Sequence, residues 1–335
     1  MARLDRQIDP VVLGGPLKYT LNDLAELTES PVEYLEMIMR SIGQPVRNIT
    51  EKKWTDDDVK TILEIKKFKE TEEISDTDLS AMLQGLGATM ERLALRHVEA
   101  IVQHLAAELE ISDTSARLKA ASFAPAKAGP MFPIMEQVWK RHYAEAIHRL
   151  TTEAVAQRGV QSDDIGFPLV RVVGFADLVN FTARTEEFST GQFSELVHNF
   201  HNATWDIIMS GGGRVINWIG DAVFWVANDI YAGADIALAL AKPGALGICG
   251  EARVGLAWSR VMSAYGDFFG PGVNLAARLT DAAPPNEVFV GPAAAVLLAR
   301  APEYMVEEQP EFEAKGIGVV HPARLRYADD PRNDG

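Results

Sequence analysis

Leu169-Val-Arg-Val-Val-Gly-Phe-Ala-Asp-Leu-Val-Asn-Phe-Thr182 decides how the second half of this 335-residue chain folds. Its opening residues are mostly β-branched or apolar, as in a buried strand, and the run ends on an acid, Asp177. Downstream, Ser189 to Met209 has the spacing of a helix with Ser189 as a possible cap, closed by Gly211-Gly212-Gly213. Arg214 to Val226 then reads as two strands broken at Gly220-Asp221. A helix at Ala232 to Ala241, a strand at Ala252 to Ala257, a helix at Val273 to Asp281 and a strand at Val288 to Val290 follow. Strands alternating with helices predict an α/β sandwich.

Upstream the pattern changes. Leu21 to Leu27, Val32 to Ile42, Asp56 to Glu70, Asp76 to Leu109 and Met131 to Gln157 carry apolar residues at three- and four-residue spacing. In the last of these, Met135, Val138, Trp139, Tyr143 and Ile147 form one stripe. Thr20 and Thr55 precede helix starts, the latter before three aspartates, where carboxylates favour the N-terminus. The proline-containing stretch Ala121 to Pro133 reads as a loop between helices. The expected organisation is a helical domain over 1–157, a polar linker at 158–167 and a sandwich domain over 168–330. The fold class is therefore α+β.

Composition narrows the function. With 32 Lys+Arg against 47 Asp+Glu the formal charge is −15, a field that repels phosphate backbones. The one cysteine, Cys249, rules out an intramolecular disulfide and a thiolate metal cluster. The start of the sequence lacks the apolar run of a signal peptide, and Ile230 to Gly250 is interrupted by Asp235, Lys242 and Pro243. A membrane span needs about 20 mostly apolar residues. A soluble cytoplasmic protein is expected.

Asp177 at a strand end and Asp221 at a hairpin turn could converge on one point. Paired carboxylates there hold hard cations such as Mg²⁺, with substrate phosphates completing the shell. Taken alone, each acid could equally cap a turn. Further on, Asp267-Phe-Phe-Gly-Pro-Gly-Val-Asn-Leu-Ala-Ala-Arg278 joins a Gly-Pro-Gly turn to a helix start. Asn274 and Arg278 are four apart and share a helix face. The planar donor fork of an arginine suits phosphate, although a lone helix arginine is commonly just solvated.

In combination and order, Phe-Ala-Asp-Leu with Phe-Thr, then Gly-Asp-Ala-Val, then Asp-Phe-Phe-Gly with Val-Asn-Leu-Ala-Ala-Arg resemble the class III nucleotidyl cyclases, from Val170 to about Tyr327. The arrangement of the chain is similar to that of actinobacterial adenylate cyclases with a helical regulatory domain ahead of a ferredoxin-like catalytic sandwich. The resemblance implies that Asp177 and Asp221, with the backbone carbonyl of Leu178, bind two Mg²⁺ or Mn²⁺ ions per site. It implies that Asn274 orients the ribose and that Arg278 faces charge developing at the α-phosphate. Asn217 and Asp267 correspond to the purine-reading pair, and Lys315 to a basic residue near the terminal phosphates, where a plain surface lysine is the competing reading. The implied reaction turns ATP into 3′,5′-cyclic AMP and pyrophosphate, in a head-to-tail homodimer whose sites draw residues from both chains.

Two positions depart from the family pattern. Asn217 stands where an adenine-reading lysine is usual. Its amide can donate to adenine N1 while Asp267 accepts from N6; flipped, it could serve guanine. ATP is expected over GTP, with a guanylate or relaxed-specificity cyclase as the alternative. Asn180 stands where the family often has glycine.

Tyr19 to Glu36 also looks like a helix-turn-helix and, with Trp54-Thr-Asp-Asp-Asp-Val-Lys, is similar to the start of MerR-type regulators. A DNA-binding regulator with a nucleotide-sensing domain is thus a second reading. Glu33 and Glu36 against Arg40 on the would-be recognition helix speak against it. His97, His104, His142 and His148 make a pH-responsive interface conceivable, and a lipid or small-molecule effector is equally open. A domain that binds nucleotide without turnover is the third reading, opposed by the presence of Asp177, Asp221, Asn274 and Arg278.

Overall fold

The computed structural model describes residues 11–157, 169–181 and 188–334. The expected linker at 158–167, and Thr182, lie outside them. The chain divides into two units, Met1–Thr152 and Glu153–Gly335.

The first unit is helical: α1 (Leu21–Thr28), α2 (Val32–Ser41), α3 (Asp56–Thr71), α4 (Asp76–Leu109) and all but the last turn of α5 (Asp113–Gln157). Thr20 and Thr55 each form a capping box, accepting from the backbone of Asp23 and Asp58, whose carboxylates reach back to the cap. Leu21, Leu24, Leu35, Met39, Trp54 and Ile62 make the core of α1–α3. A single bridge between Tyr19 and Trp54 closes that core. Glu33 and Arg40 are exposed on α2. Val102, Ala116 and Ala120 pack α4 against α5.

One expectation fails on α5. Ala121 to Pro133 is not a loop; the helix continues through it. The stretch carries four alanines, Ala121, Ala124, Ala126 and Ala128, next to Ala120, and the helix preference of alanine runs against the cost of each proline. The expected stripe lies on the same helix, and most of it is exposed. Val138, Trp139, Tyr143 and Ile147 are all exposed, and Trp139 stacks on Tyr143 at 4.9 Å.

The second unit follows the order β1 (Leu169–Leu178), α6 (Thr190–Ser210), β2 (Arg214–Ile219), β3 (Ala222–Ala227), α7 (Ile230–Ala241), β4 (Ala252–Ala264). These four strands lie in the order β2-β3-β1-β4, all neighbours antiparallel, which is the ferredoxin-like arrangement. A hairpin adds β5 (Asp267–Phe269) to the far end of β4, and α8 (Pro271–Ala282) follows. Then come β6 (Val288–Val290), parallel to β4, and α9 (Pro292–Leu298). The sheet is completed by β7 (Tyr304–Glu308) and β10 (Ala323–Tyr327), and β8 (Phe312–Ala314) with β9 (Gly318–Val320) form a separate ribbon.

Alternation along β1 assigns its two faces. Val172, Ala176 and Leu178 join the larger core, which includes residues of α6, α7 and α9. Val173 and Phe175 face the other side, where Phe224, Val226, Ala257, Phe268 and Ala276 of α8 gather. Gly174 lies where any Cβ would overlap the fully buried Trp225 ring. Gly255 on β4 lets α8 settle onto the sheet, since a Cβ would run into the backbone of Ala276 and Thr280.

Candidate active site

The β1–β3 register sets Asp177 opposite Ala222, the residue after Asp221. Gly220, at φ +65°, takes the left-handed turn conformation that brings the chain round to Asp221. The Leu178 N–H donates to the Asp221 carbonyl at 3.1 Å. The structure therefore brings Asp177, Leu178 and Asp221 together, across 44 positions of sequence for the two acids. Asn180, beyond the strand end, has φ +57°. Asparagine tolerates that region better than most residues, so it can stand where the family often uses glycine.

On its other side Asp177 pairs in register with Arg253 of β4. Arg253 Nε and Nη2 both donate to Asp177 Oδ2, at 2.9 and 2.6 Å, and Nη1 donates to the carbonyl of Asp281 at 3.2 Å. The sequence reading missed this arginine. Its partner is 76 residues away, and only strand register places the two together. Burial pushes the Asp177 carboxyl above its ordinary range; the hydrogen bonds from Arg253 oppose the rise and the charge of Asp221 adds to it. A half-buried acid repelled by a second acid fits a divalent cation, which relieves both effects. Among the described residues no group of three or more His, Cys, Asp or Glu is placed to hold a metal ion. Two carboxylates are what a site completed by substrate phosphates needs.

Asn274 and Arg278 lie on α8. Gly270 opens this helix with Pro271 at its first position, where the missing N–H costs nothing. Asn274 is exposed and lines a groove of about 890 Å³ with Trp258, Ser259, Phe269, Gly316 and Ile317. Lys315 is exposed in the β8–β9 turn, next to the Gly316 of that lining. Arg278 is partly exposed and bonds Asp281 at 3.0 Å. Asp267 starts β5 and accepts from the Phe268 N–H at 2.7 Å. Asn217 is exposed on the edge strand β2, at a bulge between Val215 and Asn217 that re-aims its side chain. Arg214, three residues earlier, lies over the Phe268 ring at 5.5 Å, so the β5 hairpin reaches the strand that carries Asn217.

A single chain does not gather all of these. Asp177 lies by the C-terminal end of α8, where Arg253 meets Asp281. Asn274 opens into a groove at the other end, roughly 10 Å along the helix axis for seven residues. Neither Asp177 nor Asp221 lines that groove.

No family model matches the chain. An adenylate cyclase of Glutamicibacter nicotianae is 28% identical over 322 residues, covering 94% of this chain and 80% of that protein. An adenylate cyclase of Streptomyces coelicolor is 28% identical over 362 residues, covering 96% and 90%. The chain belongs to the class III nucleotidyl cyclases. Among solved structures, the adenylyl cyclase CyaB from P. aeruginosa aligns with 50% of this cyclase and 97% of its own chain, at 22% identity and a TM-score of 0.42. No helix among the described residues of the cyclase is long and apolar enough to cross a membrane.

Proposed function

We propose that this cyclase converts ATP to 3′,5′-cyclic AMP and pyrophosphate at composite sites in a homodimer. The juxtaposition of Asp177 and Asp221 through the Leu178–Asp221 bond carries the reading. The near end-to-end similarity to two proteins named adenylate cyclase supports it. Asp177, Asp221 and the Leu178 carbonyl would hold the divalent cations. When bound, Mg²⁺ or Mn²⁺ supplies Lewis-acid activation of the ribose 3′-hydroxyl and neutralises phosphate charge. Asn274 holds the ribose in the attacking orientation. Arg278 donates to the α-phosphate as its charge grows, which requires release from Asp281. Asn217 and Asp267 read the purine edge, and Lys315 meets the terminal phosphates. The separation of Asn274 from the carboxylates in one protomer favours a site completed by a second chain.

The helical unit is the proposed regulator. His104 is exposed and pairs with Glu108 at 3.1 Å, and His142 and His148 are also exposed. Replacing His97, His104, His142 and His148 by Gln tests a pH effector: an unchanged pH–activity profile eliminates it and leaves a lipid or small molecule.

Turnover of ATP and GTP with Mg²⁺ or Mn²⁺, in the full chain and in Asp177→Ala, tests the function. Cyclic AMP from the parent protein and none from Asp177→Ala is expected. Preferential turnover of GTP would overturn the substrate; no cyclic product from either nucleotide would overturn the activity.

A further inference from the structure

Arg253 bonds two parts of the site, the Asp177 carboxylate and the C-terminal end of α8, which also meet where Thr280 Oγ1 donates to the Phe175 carbonyl at 3.3 Å. Its guanidinium gives two hydrogen bonds to one oxygen of Asp177 and a third to the carbonyl of Asp281. Asp281 lies in the last turn of α8, where backbone carbonyls have no partner within the helix. The same residue holds Arg278 through its carboxylate. The Asp177 side chain is 17% exposed and that of Arg253 34%, so the pair is shielded but reachable. An arginine doubly bonded to Asp177 Oδ2 fills the coordination capacity of that oxygen and offsets the charge that would attract a cation.

We infer that Arg253 is a positioning residue that competes with divalent cations for Asp177 and ties that carboxylate to the C-terminal end of α8, the helix bearing Asn274 and Arg278. Cation binding at Asp177 displaces the guanidinium from Oδ2, and the metal-loaded state thereby differs from the metal-free state in how α8 is anchored. The inference rests on Asp177 and Asp221 as cation ligands.

Mn²⁺ binding to the full chain without nucleotide, followed by the electron paramagnetic resonance of free Mn²⁺, tests it. Arg253→Gln should bind Mn²⁺ roughly two- to fivefold more tightly than the parent protein, the gain expected when a partly exposed ion pair stops competing. A role confined to packing would leave affinity unchanged or weaken it, and either result overturns the inference. Arg278→Gln removes a nearby positive charge that does not touch Asp177; an equal gain there would reduce the effect to the general field and overturn the competition. Asp221→Asn separates the two readings. If it abolishes Mn²⁺ binding while Arg253→Gln gives no gain, the inference alone falls. If binding is insensitive to Asp221→Asn, the cation site falls and the inference with it. Should Arg253→Gln not fold, Arg253→Lys carries the same test. One ammonium cannot hold Oδ2 by two bonds and reach Asp281 as well, so a smaller gain in the same direction is expected, and no gain overturns the inference.

Discussion

The N–H of Leu178 donates to the carbonyl of Asp221 at 3.1 Å, so the strand that carries one acid is bonded to the turn that carries the other. The bond uses backbone atoms only. Asp221→Asn therefore keeps the geometry and removes the charge. Its melting temperature should stay near that of the parent protein, while cyclase activity falls on the order of 10²–10³-fold, as when one stabiliser of transition-state charge is removed. Thermal unfolding and an initial-rate assay on the same preparation separate the two effects; parallel loss of both would mean that the carboxylate is structural.

A site divided between two chains makes a quantitative claim. Asp177→Ala and Arg278→Ala disable different halves, and each should be inactive alone. In a head-to-tail dimer mixed from both, one site combines the two defects and the other has neither. With random exchange of equal amounts, half the dimers are mixed, and activity should recover to about a quarter of the parent level. No recovery after verified subunit exchange would place all the residues on one chain.

Asn217 is exposed beside the bulge of β2, and in the proposed site it would offer a neutral amide to the purine. A charged donor there would strengthen the bond to adenine N1 and repel the N–H of guanine. A hydrogen bond to a charged group contributes about 1 kcal/mol more than a neutral one, so Asn217→Lys should raise the ATP over GTP ratio of kcat/KM roughly fivefold. An unchanged ratio would remove Asn217 from the purine site.

What the chain shows locally, the sequence expresses well. The caps at Thr20, Thr55 and Ser189 follow from side chains within three residues, and all three form in the structure. The break at Gly220-Asp221 follows from turn chemistry, and β2 and β3 flank it. Features fixed by distant partners were not legible. Beyond Ala257, β4 runs on to Ala264 because β1 and then β5 pair with it, and Arg260 and Ser263 in that stretch carry no strand signal of their own. The strands β7 to β10 are three to five residues long and too mixed in polarity to announce themselves. Arg253 sits in an apolar run, and its meaning appears only when register sets it against Asp177.

Two tyrosines at the far edge of the sheet set an alkaline limit. Tyr304 and Tyr327 both donate to Asp235 Oδ1, at 2.8 and 3.0 Å. Burial, then the hydrogen bond to this carboxylate, pushes the Tyr327 hydroxyl up to about 12, and Tyr304 rises for the same reasons. A pKa raised on folding stabilises the native state while the proton is held. The contribution is therefore complete below the ordinary tyrosine value near 10 and is lost as pH climbs toward 12. Absorbance at 295 nm should show Tyr327 and Tyr304 ionising last. Asp235→Asn should lower both transitions and reduce the melting temperature at pH 7 more than at pH 11.

Gly255 links the fold to the chemistry. It lies on β4 directly under α8, where the Cβ of an alanine would meet the backbone N–H of Thr280 and the carbonyl of Ala276. Those are main-chain atoms inside a helix and cannot turn aside as a side-chain tip could. Gly255→Ala must therefore lift or tilt α8, at a cost of about 1–3 kcal/mol for overpacking. The same shift displaces Asn274 and Arg278, and a misplacement near 1 Å can cost on the order of 10²-fold in rate. The protein should remain folded with a lowered melting temperature, and kcat should fall far more than stability alone accounts for. Val254→Ala on the same strand is the matching control. It empties space in the larger core without touching α8, so it should lower stability by about 1–3 kcal/mol and leave kcat near the parent value. Equal kcat losses in the two variants would show that the seating of α8 on Gly255 does not govern catalysis.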